Sequence, residues 1–148
     1  MAPITVPYRV RPGEDVPRPW LRVWFLVDGR KIEVPAIVDS GADGSVVPLD
    51  LASAVGLTYD PAKPLEAQGA GGAYRQFRAA NRLAIESEVG PISLDRPSLN
   101  PYLKVMLLGR SDFFLAYRVR FDQRAMVMEI EPYVAAEKRE AKRSRARR

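Results

Sequence analysis

Between Trp20 and Ile130 the chain is cut into short runs of β-branched, aromatic and aliphatic residues by glycine, proline and Asp-Gly or Asn punctuation, and this rhythm confines it to a mainly β fold. The clearest unit is Trp20 to Val27, then Asp28-Gly29, then Lys31 to Val38. Asp-Gly readily takes the positive φ values of a two-residue hairpin turn, so these segments read as paired strands. Between Pro64 and Leu94, strand-like runs are interrupted by Gly69-Ala70-Gly71-Gly72, Asn81 and Gly90-Pro91, as in a meander or small barrel. Arg118 to Phe121 and Ala125 to Ile130 alternate at period two and suggest a terminal hairpin. Only two short helices are indicated. Pro48 to Val55 has proline in its first turn, Asp50 near its N-terminus, Leu51, Ala54 and Val55 on one face, and Gly56 as its stop. Arg110 to Tyr117 places Phe113, Phe114 and Tyr117 toward the core, and Asp95 to Pro101 reads as irregular.

With 148 residues and no internal repeat, the chain is long enough for one domain with its own core. It contains no cysteine and no histidine, which removes Ser-His-Asp and Cys-His catalysis, thiolate or imidazole zinc sites and disulfide frameworks together. Chemistry is left to carboxylates, hydroxyls, amines and backbone. The net charge of +5 is confined to one place: residues 137–148 carry seven Lys or Arg and two Glu, while residues 1–136 hold 16 basic and 16 acidic side chains. That terminal run is read as a solvated, disordered or frayed-helix extension, with a nucleic acid or anionic surface as its only implied partner. No signal-peptide h-region or membrane-length apolar stretch is present, so the expectation is a cytoplasmic protein without membrane association. Arginine outnumbers lysine 18 to 5, and Ala and Pro are frequent, which fits a GC-rich bacterial genome.

The strongest chemical signal lies where the apolar strand Pro35 to Val38 delivers Asp39 into the tight turn Ser40-Gly41. A strand end fixes a carboxylate in space, Ser40 can offer its hydroxyl to backbone, and Gly41 allows close approach of another chain or a substrate. Alone, Asp-Ser-Gly describes many ordinary Asx turns. The full segment Ala36 to Val47, Ala-Ile-Val-Asp-Ser-Gly-Ala-Asp-Gly-Ser-Val-Val, resembles the active-site segment of retropepsin-like aspartic proteases. Two more segments follow in the family's order. Gly69-Ala70-Gly71-Gly72 is similar to the tip of a flap hairpin, though by itself it reads as a plain flexible loop. Leu107-Leu108-Gly109-Arg110 resembles the apolar-apolar-Gly-Arg element that passes behind the catalytic loop before a helix.

The resemblance implies a small closed β-barrel with one or two short helices over residues 20–131, preceded by a proline-rich arm (1–19) and followed by the basic tail (132–148). It implies catalytic roles for Asp39, Ser40 and Gly41, substrate contacts from Ala42, Gly44, Gly69, Ala70, Gly71 and Gly72, and support from Asp43, Leu108, Gly109 and Arg110, with Asp43 and Arg110 forming an ion pair. No metal or organic cofactor is implied. Because the mechanism needs two carboxylates sharing a proton and the chain has one such motif, the resemblance implies a homodimer acting on an extended peptide or protein substrate.

Two other readings remain open. The same domain could be a non-catalytic peptide-binding or dimerisation module, or the protein could act on nucleic acid through its tail. A metal site on Asp39 and Asp43 is poorly supported, since two carboxylates without further matched ligands seldom suffice.

Overall fold

The computed structural model describes residues 2–147. β1 (Ile4–Pro7) is followed by the hairpin of β2 (Trp20–Val27) and β3 (Arg30–Val38), then by β4 (Val46–Pro48) and α1 (Leu49–Ala52). Two further hairpins come next, β5 (Leu65–Gly69) with β6 (Gly72–Arg78) and β7 (Leu83–Ser87) with β8 (Ile92–Leu94). β9 (Ser98–Asn100) and β10 (Met106–Leu108) precede α2 (Phe113–Ala116), and the chain ends in β11 (Tyr117–Asp122), β12 (Val127–Pro132) and α3 (Tyr133–Ala146). Asp28 and Gly29 sit at φ 49° and 75°, the left-handed conformation that a two-residue hairpin turn requires.

The fold is mainly β, in two sheets. The larger runs β5-β6-β9-β4-β10-β3-β2-β7-β8, and the smaller runs β1-β12-β11. Among the described residues β5 and β8 do not pair, so the closed barrel implied by the resemblance is not formed by a continuous hydrogen-bonded ladder. Nor is Pro64 to Leu94 a simple meander: its two hairpins sit at opposite ends of the large sheet, separated by five other strands. One core serves both sheets, with Leu21, Phe25, Leu99, Met106, Leu108 and Phe113 meeting Val6, Met128 and Ile130.

Several local expectations are revised. β9 is an interior strand of the large sheet, between β6 and β4 and parallel to β4, where the sequence suggests an irregular connection; Ser98, Leu99 and Asn100 are all buried. β1 was also not foreseen, and it pairs antiparallel with β12. The helix expected over Pro48 to Val55 is the single turn α1, in which Ala52 is buried and Leu51 half-buried; Ala54, exposed, and Val55, buried, lie in the turn beyond it, where the chain closes through Leu57 N–H to Ala52 O at 2.8 Å. α2 begins at Phe113 because the Asp112 carboxylate accepts the Phe113 N–H, and Tyr117 already belongs to β11. α3 is a third helix beyond the one or two expected, formed by a stretch rich in Ala, Lys, Arg and Glu, all strong helix formers.

Candidate active site

β3 ends at Val38, and Asp39 leaves the strand with its backbone still paired: Asp39 N–H donates to Leu108 O at 3.0 Å. β10 lies parallel to β3 with Leu108 opposite Val38, and antiparallel to β4 with Leu107 opposite Val46. It therefore fills the gap between the strand that enters the Asp39 loop and the strand that leaves it. The loop is fixed at both ends by the same buried strand.

Within the loop the half-buried Asp39 carboxylate accepts the Gly41 N–H at 2.9 Å, and Ala42 N–H returns to Asp39 O at 3.2 Å. These bonds hold the carboxylate over its own turn. Ser40 and Gly41 are exposed at the crest of the turn. Farther along, Arg110 N–H donates to Ala42 O at 3.0 Å and Ser111 N–H to Asp43 O at 2.9 Å, so the loop and the segment after β10 are joined backbone to backbone. Gly109 is buried against Gly44: a Cβ at residue 109 would lie 2.8 Å from Gly44 Cα and closer still to its carbonyl. Only glycine lets the two backbones approach this closely.

Asp43 and Arg110 form an ion pair, Oδ1 to Nη2 at 2.5 Å, with side chains 95% and 60% exposed. An exposed pair contributes little to stability in a single chain. The firmer tie, which the sequence reading missed, is buried beneath it. Ser45 Oγ donates to Asp112 Oδ1 at 2.5 Å and accepts the Gly109 N–H at 3.1 Å, while Asp112 Oδ1 also accepts the Phe113 N–H at 2.8 Å. A serine at the foot of the loop and an aspartate at the N-cap of α2 thus satisfy each other and lock loop, strand and helix together. The available signal was an Asp immediately before the Phe113-Phe114 pair, the position of an N-cap.

Above the loop stands the β5–β6 hairpin, and between them lies a cleft of about 820 Å³. Asp39, Gly41, Ala42, Asp43 and Gly44 line its floor, and Gly69 and Ala70 belong to its other wall. Gly71 and Gly72 sit at the hairpin tip, and Leu108, Gly109 and Arg110 lie behind the loop; none of these five lines the cleft, and neither does Ser40. Tyr74, Gln76 and Arg78, alternate residues of β6, do line it, as does Arg96 on the approach to β9. The period-two spacing of the β6 residues was the signal that could have found them. These residues make that wall of the cleft polar.

A carboxylate fixed at a strand end, braced by a crossing strand and facing a β-hairpin across a cleft defines a class: a small β domain built around one positioned aspartate. Residues 23–110 match the family described as aspartyl protease, and the chain belongs to that family. The matched span runs from inside β2 through the Asp39 loop and the hairpin to Arg110. Comparison with curated proteins finds no match. No helix among the described residues is long and apolar enough to cross a membrane.

Proposed function

We propose that the protein is a retropepsin-like aspartic endopeptidase that works as a homodimer, with Asp39 of each subunit facing its counterpart across a twofold axis. The observation that supports this reading is the single Asp39 carboxylate, held at a strand end on the floor of a cleft that a hairpin covers. One ionised Asp39 removes a proton from water as that water attacks the scissile carbonyl. The other Asp39, protonated, donates its proton to the carbonyl oxygen, giving a neutral tetrahedral diol. Collapse of the diol breaks the C–N bond, with a proton passing from a carboxyl group to the leaving nitrogen and from the diol back to the other carboxylate. Each turnover regenerates the shared-proton pair without a covalent intermediate. Two carboxylates at such close range do not ionise independently, so the rate rises and falls with pH on the acid side of neutrality.

Substrate in this reading lies extended along the cleft, with the β5–β6 hairpin as flap and the floor around Gly41 and Ala42 offering backbone groups. Ser40, at the crest of the turn, grips its counterpart in the other subunit.

The test is cleavage of a diverse peptide library from about pH 4 to 7, the range in which a shared-proton pair works, with solution mass measured in parallel. Wild type is expected to cleave as a dimer, and Asp39→Asn to remain dimeric while losing roughly a thousandfold or more of the activity. Equal behaviour of the two proteins would sink the catalytic reading and leave a peptide-binding or dimerisation module of the same fold.

A further inference from the structure

The chain's entire net positive charge resides in residues that the proteolytic reading does not use, and α3 gives that charge a shape. Its first turns are docked on the small sheet. Ala136 is fully buried, Arg118 on β11 pairs with Glu140, and the same guanidinium lies 5.8 Å from the centre of the Tyr133 ring. Every residue from Ala141 through Arg147 is exposed, so the helix projects beyond the body it is anchored to.

At 3.6 residues per turn, Tyr133, Ala136 and Glu140 share the face toward the sheet, and Glu137 falls on the same half. Lys138, Lys142 and Arg145 fall within about 60° of one another on the opposite face. Glu140 is occupied by Arg118 and the exposed Glu137 falls off the cationic face, so these three cations form an outward stripe about 10 Å long that carries no acid. Lys138, Lys142 and Arg145 are all exposed.

We propose that this stripe binds the phosphate backbone of duplex DNA. The choice among polyanions follows from what accompanies the cations. A helix that lies on a membrane surface needs a free apolar face; here Ala136 is buried against the sheet, and among the described residues of the helix the one large apolar side chain left exposed is Val134. Single strands are gripped by aromatic platforms, but the tail's one aromatic residue, Tyr133, sits beneath Arg118. A projecting rod with a straight cationic edge matches the major groove of B-form DNA, about 12 Å wide, and not the deep, narrow groove of A-form RNA. Contacts to phosphate carry no sequence information, so binding in this mode is independent of sequence and strongly dependent on salt.

The test uses the full chain and a labelled duplex of about two helical turns, with affinity followed by fluorescence anisotropy from about 50 to 200 mM salt. Lys138→Gln/Lys142→Gln/Arg145→Gln is expected to lower the steepness of log affinity against log salt by about 2.7, or roughly 0.9 per lost phosphate contact. Lys142→Gln alone should remove about a third of that, which keeps the test open if the triple variant folds poorly. A control lacking equal charge on the body, Arg30→Gln/Lys31→Gln/Arg124→Gln, should bind as wild type does. Failure of wild type to bind at low salt, an unchanged slope in the triple variant, or an equal loss in the control would overturn the proposal. So would preference for single strands, for duplex RNA or for vesicles of anionic lipid.

Discussion

The two walls of the cleft both contain glycines, and the glycines do opposite things. Behind the floor, Gly109 is pressed against the backbone of Gly44, and the floor loop is tied by backbone bonds to Leu108, Arg110 and Ser111 and by the buried Ser45–Asp112 bond. At the tip of the β5–β6 hairpin, a Cβ on Gly71 or Gly72 would meet nothing within 4 Å, and most residues of both strands are exposed. Among the described residues β5 is an edge strand paired with β6 alone. Absence of a side chain brings backbones into contact on one wall and leaves backbone free on the other. The proposed protease reading calls for both: a carboxylate held in place and a cover free to open.

The comparison is most severely tested at Gly109. Gly109→Ala forces a methyl group into the Gly44 backbone, which cannot yield without displacing the Asp39 loop, and we expect a loss of about 3 kcal/mol or more in chemical denaturation, or no folded protein. A change under about 1 kcal/mol would show that the floor is not the rigid wall described. Next in size is Asp112→Ala, which leaves the Ser45 hydroxyl and the Phe113 N–H without their acceptor and should cost about 2–3 kcal/mol. Asp112→Asn keeps an acceptor oxygen at the same place and should recover most of that loss. If the two variants were equally damaged, the negative charge and not the hydrogen-bond geometry would be what α2 requires.

These two residues also show where the sequence was legible and where it was not. Asp39, its glycine turn and the hairpin tip announce themselves because local chemistry dictates them: a strand end, a tight turn, a run of glycines. The Asp28-Gly29 turn and the β2–β3 pairing were legible for the same reason. β9 was hidden because Asp95-Arg96-Pro97 reads as loop and because Ser98 and Asn100 are polar yet buried, their burial coming from an interior place in the sheet that no local pattern encodes. β1 was hidden because only Val6 of its four residues points inward. The Ser45–Asp112 bond spans 67 residues, and it exists only because β10 passes between β3 and β4. Motifs carried the chemistry, and topology carried its support.

The fixed wall is also pinned from outside, and here pH enters. Val38, the residue before Asp39, donates its N–H to Pro19 O at 3.1 Å, and the segment carrying Pro19 is held by Arg9. Arg9 forms a two-bonded pair with Glu88, at 2.5 and 2.7 Å, and donates to Trp20 O. Burial of Glu88 opposes its ionisation, but the Arg9 bonds and the Arg22 N–H at 2.9 Å outweigh it, and its pKa is lowered from the ordinary glutamate value. A lowered folded-state pKa means stability that is present above the unfolded value and lost as pH falls through the folded one. Glu88→Gln should therefore cost about 1–2 kcal/mol near neutrality, and the gap from wild type should close as the medium becomes more acidic than the ordinary glutamate pKa. Urea midpoints at neutral and at strongly acid pH provide the check; a gap that stayed constant would detach the pin from Glu88 ionisation.

The smallest expected effect on stability is at the hairpin tip, and it bears most directly on the contrast between the walls. Gly71 has an ordinary backbone conformation and open space around it, so Gly71→Ala should shift stability by no more than about 0.5 kcal/mol, and in the favourable direction if the unfolded chain loses freedom. Gly72, at φ 108°, adopts a conformation that suits glycine, and Gly72→Ala should cost about 1 kcal/mol without any clash. The informative measurement is turnover beside stability. If the hairpin is a moving cover, stiffening its tip at Gly71 changes peptide cleavage while the denaturation midpoint stays in place, whereas damage at Gly109 lowers both together. A Gly71→Ala variant whose midpoint fell as far as that of Gly109→Ala would mean that the tip is packed in the working protein, and the freedom assigned to this wall would then belong to the isolated chain alone.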